Sequence, residues 1–141
     1  MQTLLERSFS PATLALVRQV TRFGVVGVFG LLVDTAVVYA LRGALGLYWA
    51  GLASFMVAAT ANWMVHRAWT FRGLGNHRPR HHQWARFVAA NTLGFLVNRS
   101  VYVALVTWVA VCATQPVLAI AAGAIASMSI NFVMSRRLVF R

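Results

Sequence analysis

With 141 residues, 60% of them apolar and only 11% charged, the chain has too few charged residues for the surface of a soluble domain, where about 25% is usual. Its net charge of +11 comes from 13 arginines against two acids, Glu6 and Asp34. The arginines stand between long uncharged runs, which disfavours a nucleic-acid-binding surface and is typical of a membrane protein.

Residues 1–21 precede the first long apolar run and are predicted to form a cytoplasmic or interfacial segment. The sequence SPATLALVRQVTRF favours a short interfacial helix there, capped by Ser10 with Pro11 at its first position. Arg18 and Arg22 would share its headgroup-facing side. A simple extension of the first membrane span is the alternative interpretation, and the sequence favours neither.

Four apolar stretches follow, each close to the about 20 residues that a helix needs to cross the hydrocarbon core. They cover residues 23–41, 47–65, 87–111 and 116–135. We therefore expect an all-α membrane protein with one four-helix transmembrane domain over residues 22–141. Eleven arginines fall on one side of these spans and only Arg42 falls in a loop on the other, so both termini are expected in the cytoplasm.

The sequence contains two copies of a two-helix unit. The segment NWMVHRAWTFR (62–72) resembles NFVMSRRLVFR (131–141) at an offset of 69, and RFGVVGVFGLLVD (22–34) resembles RFVAANTLGFLVN (86–98) at an offset of 64. Because each copy has two spans, both enter the membrane from the same side. The copies are therefore expected to form parallel repeats about an axis along the membrane normal.

Small and polar residues recur every four positions on the second helix of each copy, a spacing that lets helices approach closely in lipid. These ladders are Ala50, Ser54, Ala58 and Asn62 in the first copy, and Ala119, Gly123, Ser127 and Asn131 in the second. Plain helix packing explains the small residues. It explains the asparagines less well, because an unpaired amide in hydrocarbon costs several kcal/mol.

Asp34 and Arg99 are ionisable residues within the first and third spans, where a charge costs roughly 2.5–3.5 kcal/mol. They form either part of a substrate or gating path, or a structural pair that docks the two copies. The predicted translocation path consists of Asp34, Asn62, Asn91, Asn98, Arg99 and Asn131.

The cytoplasmic helix ends carry arginines at a fixed distance from an asparagine, a spacing that membrane orientation alone does not require. Arginine binds phosphate through paired hydrogen bonds, and with tryptophans nearby such a group would suit a lipid phosphate or pyrophosphate headgroup. The predicted phosphate ligands are Arg22, Arg67, Arg86, Arg136 and Arg137, and the predicted stacking residues are Trp63, Trp69 and Trp84. A simple positive-inside signal is the alternative.

Catalytic chemistry is not expected, because neither acid has a histidine or nucleophile beside it in the sequence. His77, His81 and His82 share a loop without a carboxylate or cysteine, so a metal site is not expected either. No cofactor is predicted.

The stretches RFGVVGVFGLLVDTAVVYAL and NWMVHRAWTF, with NFVMSRRLVF as the echo of the second, resemble the GtrA-like family over nearly the whole chain from Arg22 onward. The resemblance implies a bacterial inner-membrane protein that moves a polyprenyl-phosphate-linked monosaccharide from the cytoplasmic to the outer leaflet, for polysaccharide or O-antigen glycosylation. A separate membrane glycosyltransferase would use the sugar.

Two other functions remain open. One is a small proton-coupled cation or drug exporter using Asp34, and the other is a non-transporting partner of a glycosyltransferase. The small-residue faces also suit packing between protomers, so a homo-oligomer, first of all a dimer, is expected.

Overall fold

A computed structural model describes residues 10–141, which are helical almost throughout and contain no strand within that range. The predictions that concern Glu6 and the rest of residues 1–9 lie outside the described residues. The all-α prediction is confirmed for the described part. The helices are α1 (Pro11–Gly46), α2 (residues 47–65), α3 (Arg80–Trp108), α4 (Ala110–Thr114) and α5 (Pro116–Met134), and a π-helical turn follows α2 (His66–Thr70) and α5 (Ser135–Val139).

The ends of α1 follow from local chemistry. The Ser10 hydroxyl accepts a hydrogen bond from the Thr13 amide at 3.2 Å, and Pro11 occupies the first turn, as the sequence predicted. The helix ends at Gly46, whose φ of 73° interrupts the otherwise helical run to Val65. Glycine adopts this left-handed conformation without a steric penalty, so the chain changes direction at one residue.

The predicted helix before the first span is continuous with that span and not a separate element, while its interfacial position stays a prediction. Residues from Pro11 to Gly46 form one helix, and its only non-helical residue is Gly46 at the end. The alternative interpretation, an extension of the first span, is what the structure contains. Arg18 and Arg22 are spaced by one helical turn, a pattern that fits both interpretations and therefore could not distinguish them.

Within the part of the chain that the structure describes, two helices are long and apolar enough to cross a membrane, α1 with 36 residues and α3 with 29. In each, only 11% of the most apolar 18-residue stretch is buried within the chain. A core helix of a soluble protein would bury most of such a stretch, whereas a helix facing lipid tails leaves it exposed. The exposed apolar surface therefore indicates a membrane protein.

The chain divides into two compact units, the first ending at Gly73 and the second running from Leu74 to Arg141. In the first, Ala50, Ser54 and Ala58 of the predicted ladder are buried. In the second, α3 packs against α5, where Gly123 lies so close to the Asn98 carbonyl oxygen that a Cβ atom would come within 2.8 Å of it. Both ladders thus lie on packing faces, as the spacing predicted.

The same glycine–asparagine contact recurs in both units. A Cβ atom on Gly30 would overlap the side chain of Asn62, and one on Gly94 would overlap the side chain of Asn131. The two helices of each hairpin therefore approach each other closely where an asparagine amide lies against a bare backbone. Matching positions in the repeated sequence make matching contacts within their own units.

The two units differ at the other end of the hairpin. The first reverses direction at Gly46, whereas the second inserts α4 between Val109 and Gln115, both of which have non-helical backbone angles. Helix α4 is five residues long, and five is also the amount by which the repeat offset rises from 64 before it to 69 after it. The inserted residues thus account for the change of offset.

Substitution of Gly30 by alanine should destabilise the protein, because the new methyl group would overlap Asn62, and overpacking of this kind costs about 1–3 kcal/mol. Gly27 is the matched control, since nothing lies within 4 Å of the place that a methyl group on it would occupy. Gly27→Ala should be neutral or stabilising by up to about 1 kcal/mol through helix propensity. Thermal unfolding in detergent measures both, and equal shifts of Tm in the two variants would contradict the proposed contact.

Candidate functional site

The basic end of the first unit is held by a bond between Arg22 on α1 and the first π-turn. Its Nη1 atom donates a hydrogen bond to the backbone carbonyl of Trp69 at 3.2 Å. Its guanidinium carbon lies 5.2 Å from the centroid of the same tryptophan ring, within cation–π distance. Arg67 lies half-buried on the same turn. The structure thus brings together two predicted phosphate ligands and one predicted stacking residue.

The basic end of the second unit repeats this arrangement. Arg86 on α3 donates from Nη1 to the backbone carbonyl of Leu138 on the second π-turn at 3.3 Å. Leu138 corresponds to Trp69 at the offset of 69, so the carbonyl contact is shared although the aromatic ring is not. Arg136 and Arg137 lie exposed on the same turn. Each unit therefore presents its own group of guanidiniums at the end of its hairpin.

Each π-turn is closed by a backbone hydrogen bond across five residues, from Phe71 to the His66 carbonyl at 2.8 Å and from Phe140 to the Ser135 carbonyl at 2.9 Å. A π-turn is wider than an α-helical turn and is frequent at functional sites. Here it supplies the two carbonyls that the arginines bind. Nothing in the residue spacing predicted it.

The wide turns also direct a phenylalanine inward beneath each arginine. Phe71 meets Phe23 edge-on with ring centroids 6.3 Å apart, and Phe140 meets Phe87 in the same way at 6.3 Å. Phe71, Phe87 and Phe140 are almost completely buried. The repeated Arg-Phe dipeptide thus has two functions, an arginine that binds the turn and a phenylalanine that packs under it.

Sequence reasoning missed Gln19 and Gln83, which lie one helical turn before the two arginines at the same offset of 64. Gln83 is completely buried, and its Nε2 donates to the Gly75 carbonyl at 3.2 Å and approaches the Val139 carbonyl at 3.5 Å. It therefore joins the loop before α3 to the second π-turn. Comparison of the two copies a few residues further upstream would have found Gln-x-x-Arg-Phe in both.

The residues of the predicted path occupy different environments. The Oδ1 atoms of Asn62 and Asn131 are buried, and neither has a hydrogen-bond partner among the residues that the structure describes. Asn91 donates to the Phe87 carbonyl of its own helix at 2.9 Å, and Asn98 lies beside Gly123 on α5. The amides thus line helix contacts within each unit.

The charged residues of the predicted path and the two other predicted tryptophans differ in exposure. Asp34 is half-buried, as are Trp63 and Trp84. Arg99 is exposed on α3 with its guanidinium 5.8 Å from the ring of Phe95. The predicted pairing of Asp34 with Arg99 stays a prediction.

The apolar, exposed helices and the duplicated basic hairpin define a helical membrane protein. The family model of the GtrA/DPMS transmembrane domain matches residues 22–140, so the chain belongs to that family, and the predicted resemblance is confirmed. Membership fits a role in the handling of lipid-linked sugars for glycosylation. A search of curated protein sequences finds no match.

The match begins at Arg22 and ends at Phe140, so it contains both arginine–carbonyl contacts and both π-turns. Residues 10–21, the first turns of α1, lie before it. The repeated hairpin is therefore the part of the chain that the family shares.

His66 is a titratable group on the first π-turn, directly after the predicted span of residues 47–65. It stacks on Phe23 with centroids 4.3 Å apart, and its Nδ1 lies 2.9 Å from the Thr70 hydroxyl. Burial lowers the pKa of His66 from 6.5 to about 3, because a protonated ring there would lack the hydration that stabilises its charge in water. The imidazole is therefore neutral at neutral pH.

The depressed pKa of His66 predicts a pH-dependent stability. Between pH 6.5 and about 3 the unfolded state binds a proton that the folded state does not, so stability should fall as the pH drops below 6.5. The slope should approach about 1.4 kcal/mol per pH unit and vanish above pH 6.5. Thermal unfolding in detergent at a series of pH values measures it.

The control for this prediction is His66→Ser, which introduces the residue found at the matching position of the second unit, Ser135. The substitution should lower Tm at neutral pH, because the stacking on Phe23 is lost, and should flatten the dependence of Tm on pH. An unchanged pH dependence would show that another group is responsible.

Proposed function

We propose that the protein moves a polyprenyl-phosphate-linked monosaccharide from the cytoplasmic to the outer leaflet of a bacterial inner membrane. The sugar would serve polysaccharide or O-antigen glycosylation. Membership of the GtrA/DPMS transmembrane domain family supports a role with lipid-linked sugars. The observation that carries the proposal is the pair of arginines anchored to a π-turn carbonyl, one in each unit.

Anchored guanidiniums suit the capture of a phosphate. An arginine has five N–H donors, and the bond of Arg22 or Arg86 to a carbonyl uses one of them. The bond fixes the position of the guanidinium, so less side-chain entropy is lost when an anion binds. A positive-inside signal requires neither the bond nor the position, which favours a binding role over a purely topological one.

The negative charge for these arginines has to come largely from outside the chain. The sequence has only two acids, and Asp34 stands twelve residues beyond Arg22, about 18 Å along the helix. The second unit has no acidic residue at all between Leu74 and Arg141. A phosphate diester in the cytoplasmic leaflet is an anion that such an end could bind, with Trp69 beside Arg22 for the attached sugar.

The proposed membrane arrangement has four spans that form two parallel two-helix repeats, with both termini cytoplasmic. Helices α2 and α5 would be the second and fourth spans, and each has 19 residues, close to the about 20 that crossing requires. A sugar headgroup would pass along the polar faces while the prenyl chain stays in lipid. The protein would act without a cofactor and without catalysis.

Cysteine accessibility tests this arrangement. In a Cys112→Ser background, single cysteines at Gly43 and Ala113 should react with an impermeant maleimide added to intact cells, because both lie at the predicted outer ends of the hairpins. Cysteines at His77 and Arg141 should react only after the membrane is opened. Labelling of His77→Cys in intact cells would contradict the proposed orientation.

Transport is tested in liposomes that contain a fluorescent polyprenyl-phosphoryl sugar, with exchange between leaflets followed by quenching from outside. Arg22→Ala and Arg86→Ala remove the anchored guanidiniums, and Arg67→Ala and Arg136→Ala remove their neighbours on the π-turns. Each substitution should slow exchange at least about ten-fold, as expected for the loss of a charge-assisted hydrogen bond. Arg80→Ala is the control, because Arg80 lies exposed at the start of α3 and is not among the predicted phosphate ligands.

Two outcomes would contradict this proposal in different ways. If wild-type protein and empty vesicles exchange the lipid at the same rate, the transport function fails. If Arg22→Ala, Arg86→Ala, Arg67→Ala and Arg136→Ala all match Arg80→Ala and the wild type, transport stands and the phosphate-binding role of the arginines fails.

The proposal includes two interactions beyond the lipid. A membrane glycosyltransferase would take the sugar in the outer leaflet. A homodimer would pack through exposed helix faces, which the apolar surface of α1 and α3 supports. Crosslinking in native membranes, followed by mass spectrometry, would identify both.

A further inference from the structure

A groove on the surface of α3 lies outside the basic ends described above. It has a volume of about 480 Å³, it is open to the outside, and a single helix lines it. Its lining runs along the helix from Arg99 to Trp108, and Trp108 is 81% exposed. The floor is formed by smaller side chains between them. The lining residues are Arg99, Ser100, Val103, Ala104, Thr107 and Trp108.

The charge of Arg99 has no acidic partner within its own unit, because no aspartate or glutamate occurs between Leu74 and Arg141. The residue lies thirteen positions beyond Arg86, about 20 Å along the helix, and nine before Trp108, about 14 Å. An exposed arginine at such a depth costs roughly 2.5–3.5 kcal/mol. The ring of Phe95 at 5.8 Å offsets about 0.5–1 kcal/mol of this, so the charge favours an anion as occupant of the groove.

The fold does not need this arginine. At the offset of 64, Arg99 corresponds to Thr35 in the first unit, whose hydroxyl bonds to the Leu31 carbonyl of its own helix at 2.8 Å. Trp108 corresponds to Ala44. The first unit thus builds the matching hairpin without a guanidinium or an indole at these positions.

The residues that line the groove suit a lipid that carries a phosphate. The Arg99 guanidinium offers donors to phosphate oxygens, Val103 and Ala104 form an apolar floor for a hydrocarbon chain, and the exposed indole can stack against a sugar ring. A soluble anion would not make use of the apolar floor.

From these observations we infer that the groove binds the phosphate group of a polyprenyl-phosphate lipid and forms the outer half of the transport path. The inference rests on the proposed function for the identity of the lipid. The phosphate leaves the anchored arginines at the basic ends, meets Arg99 partway across the membrane, and reaches the outer interface beside Trp108.

Photolabelling tests the groove by binding alone, independently of transport. The full chain in lipid nanodiscs is irradiated with a short-chain polyprenyl phosphate that carries a diazirine beside the phosphate, and labelled peptides are sequenced by mass spectrometry. Labels should fall within residues 99–108. Arg99→Gln should lower this labelling at least about ten-fold, and Arg99→Lys, which keeps the charge, should retain most of it.

The chain offers a matched control in Arg42, an exposed arginine whose guanidinium lies 4.3 Å from the ring of Tyr39. Arg42→Gln removes the same charge from the same kind of aromatic contact and should leave the labelling of residues 99–108 unchanged. Ser100→Leu keeps every charge but fills the groove, so it should lower the labelling even though Arg99 is intact.

Several results would overturn the inference. Equal labelling in Arg99→Gln and wild type would do so, and is expected if Arg99 pairs with Asp34 as the sequence also allows. Equal labelling by the matching polyprenyl alcohol would show that the phosphate is not recognised. If vesicles show transport but the groove takes no label, the inference fails and the proposed function stands. If the groove takes a phosphate-dependent label but vesicles show no transport, the groove binds the lipid and the proposed transport function fails.

Discussion

In each unit, an arginine on the first helix of the hairpin donates a hydrogen bond to a backbone carbonyl at the end of the second helix, and this bond organises the basic end of the unit. Lipid offers no water to satisfy the polar groups of a polypeptide, and the last carbonyls of any helix lack a partner within it. A π-turn adds to this problem because its bonds span five residues. Arg22 and Arg86 each donate a hydrogen bond to one of these carbonyls from the neighbouring helix, and the bond also fixes the position of the guanidinium. The same contact thus closes a helix end and positions a charge.

The sequence predicted the features that depend on spacing. Ladders of small residues every four positions became packing faces, Ser10 became the helix cap, and matched residues of the two copies came to make matched contacts. These predictions succeed because a helix in lipid has few alternatives: its backbone must bond to itself, and close approach requires small side chains. The difference between the two repeat offsets, 64 and 69, equals the five-residue length of α4.

Other features could not be predicted from spacing. A five-residue π-turn leaves no signature in a period of 3.6, so the directions of Phe71 and Phe140 were unknown. The continuity of α1 past Arg22 was equally hidden, since an interfacial helix and a helix extension share one period. Gln83 was overlooked because a glutamine near a loop normally suggests solvent. Gln83 can be buried because its side-chain amide bonds to the carbonyls of Gly75 and Val139, which come close to it only in the folded hairpin.

The π-turns have a consequence for how such a protein can vary. Relative to a continuous α-helix, a π-turn advances the chain by one extra residue, so everything after it is rotated by about 100°. In an α-helical continuation Thr70 would point where Phe71 lies, and Val139 where Phe140 lies. The side chains after the turn are therefore out of register with the helical period of the side chains before it. Changes at the arginine-bearing tip leave the register of the buried ladder untouched, so the residues of the tip and those of the packing face are able to diverge independently within one continuous stretch of chain.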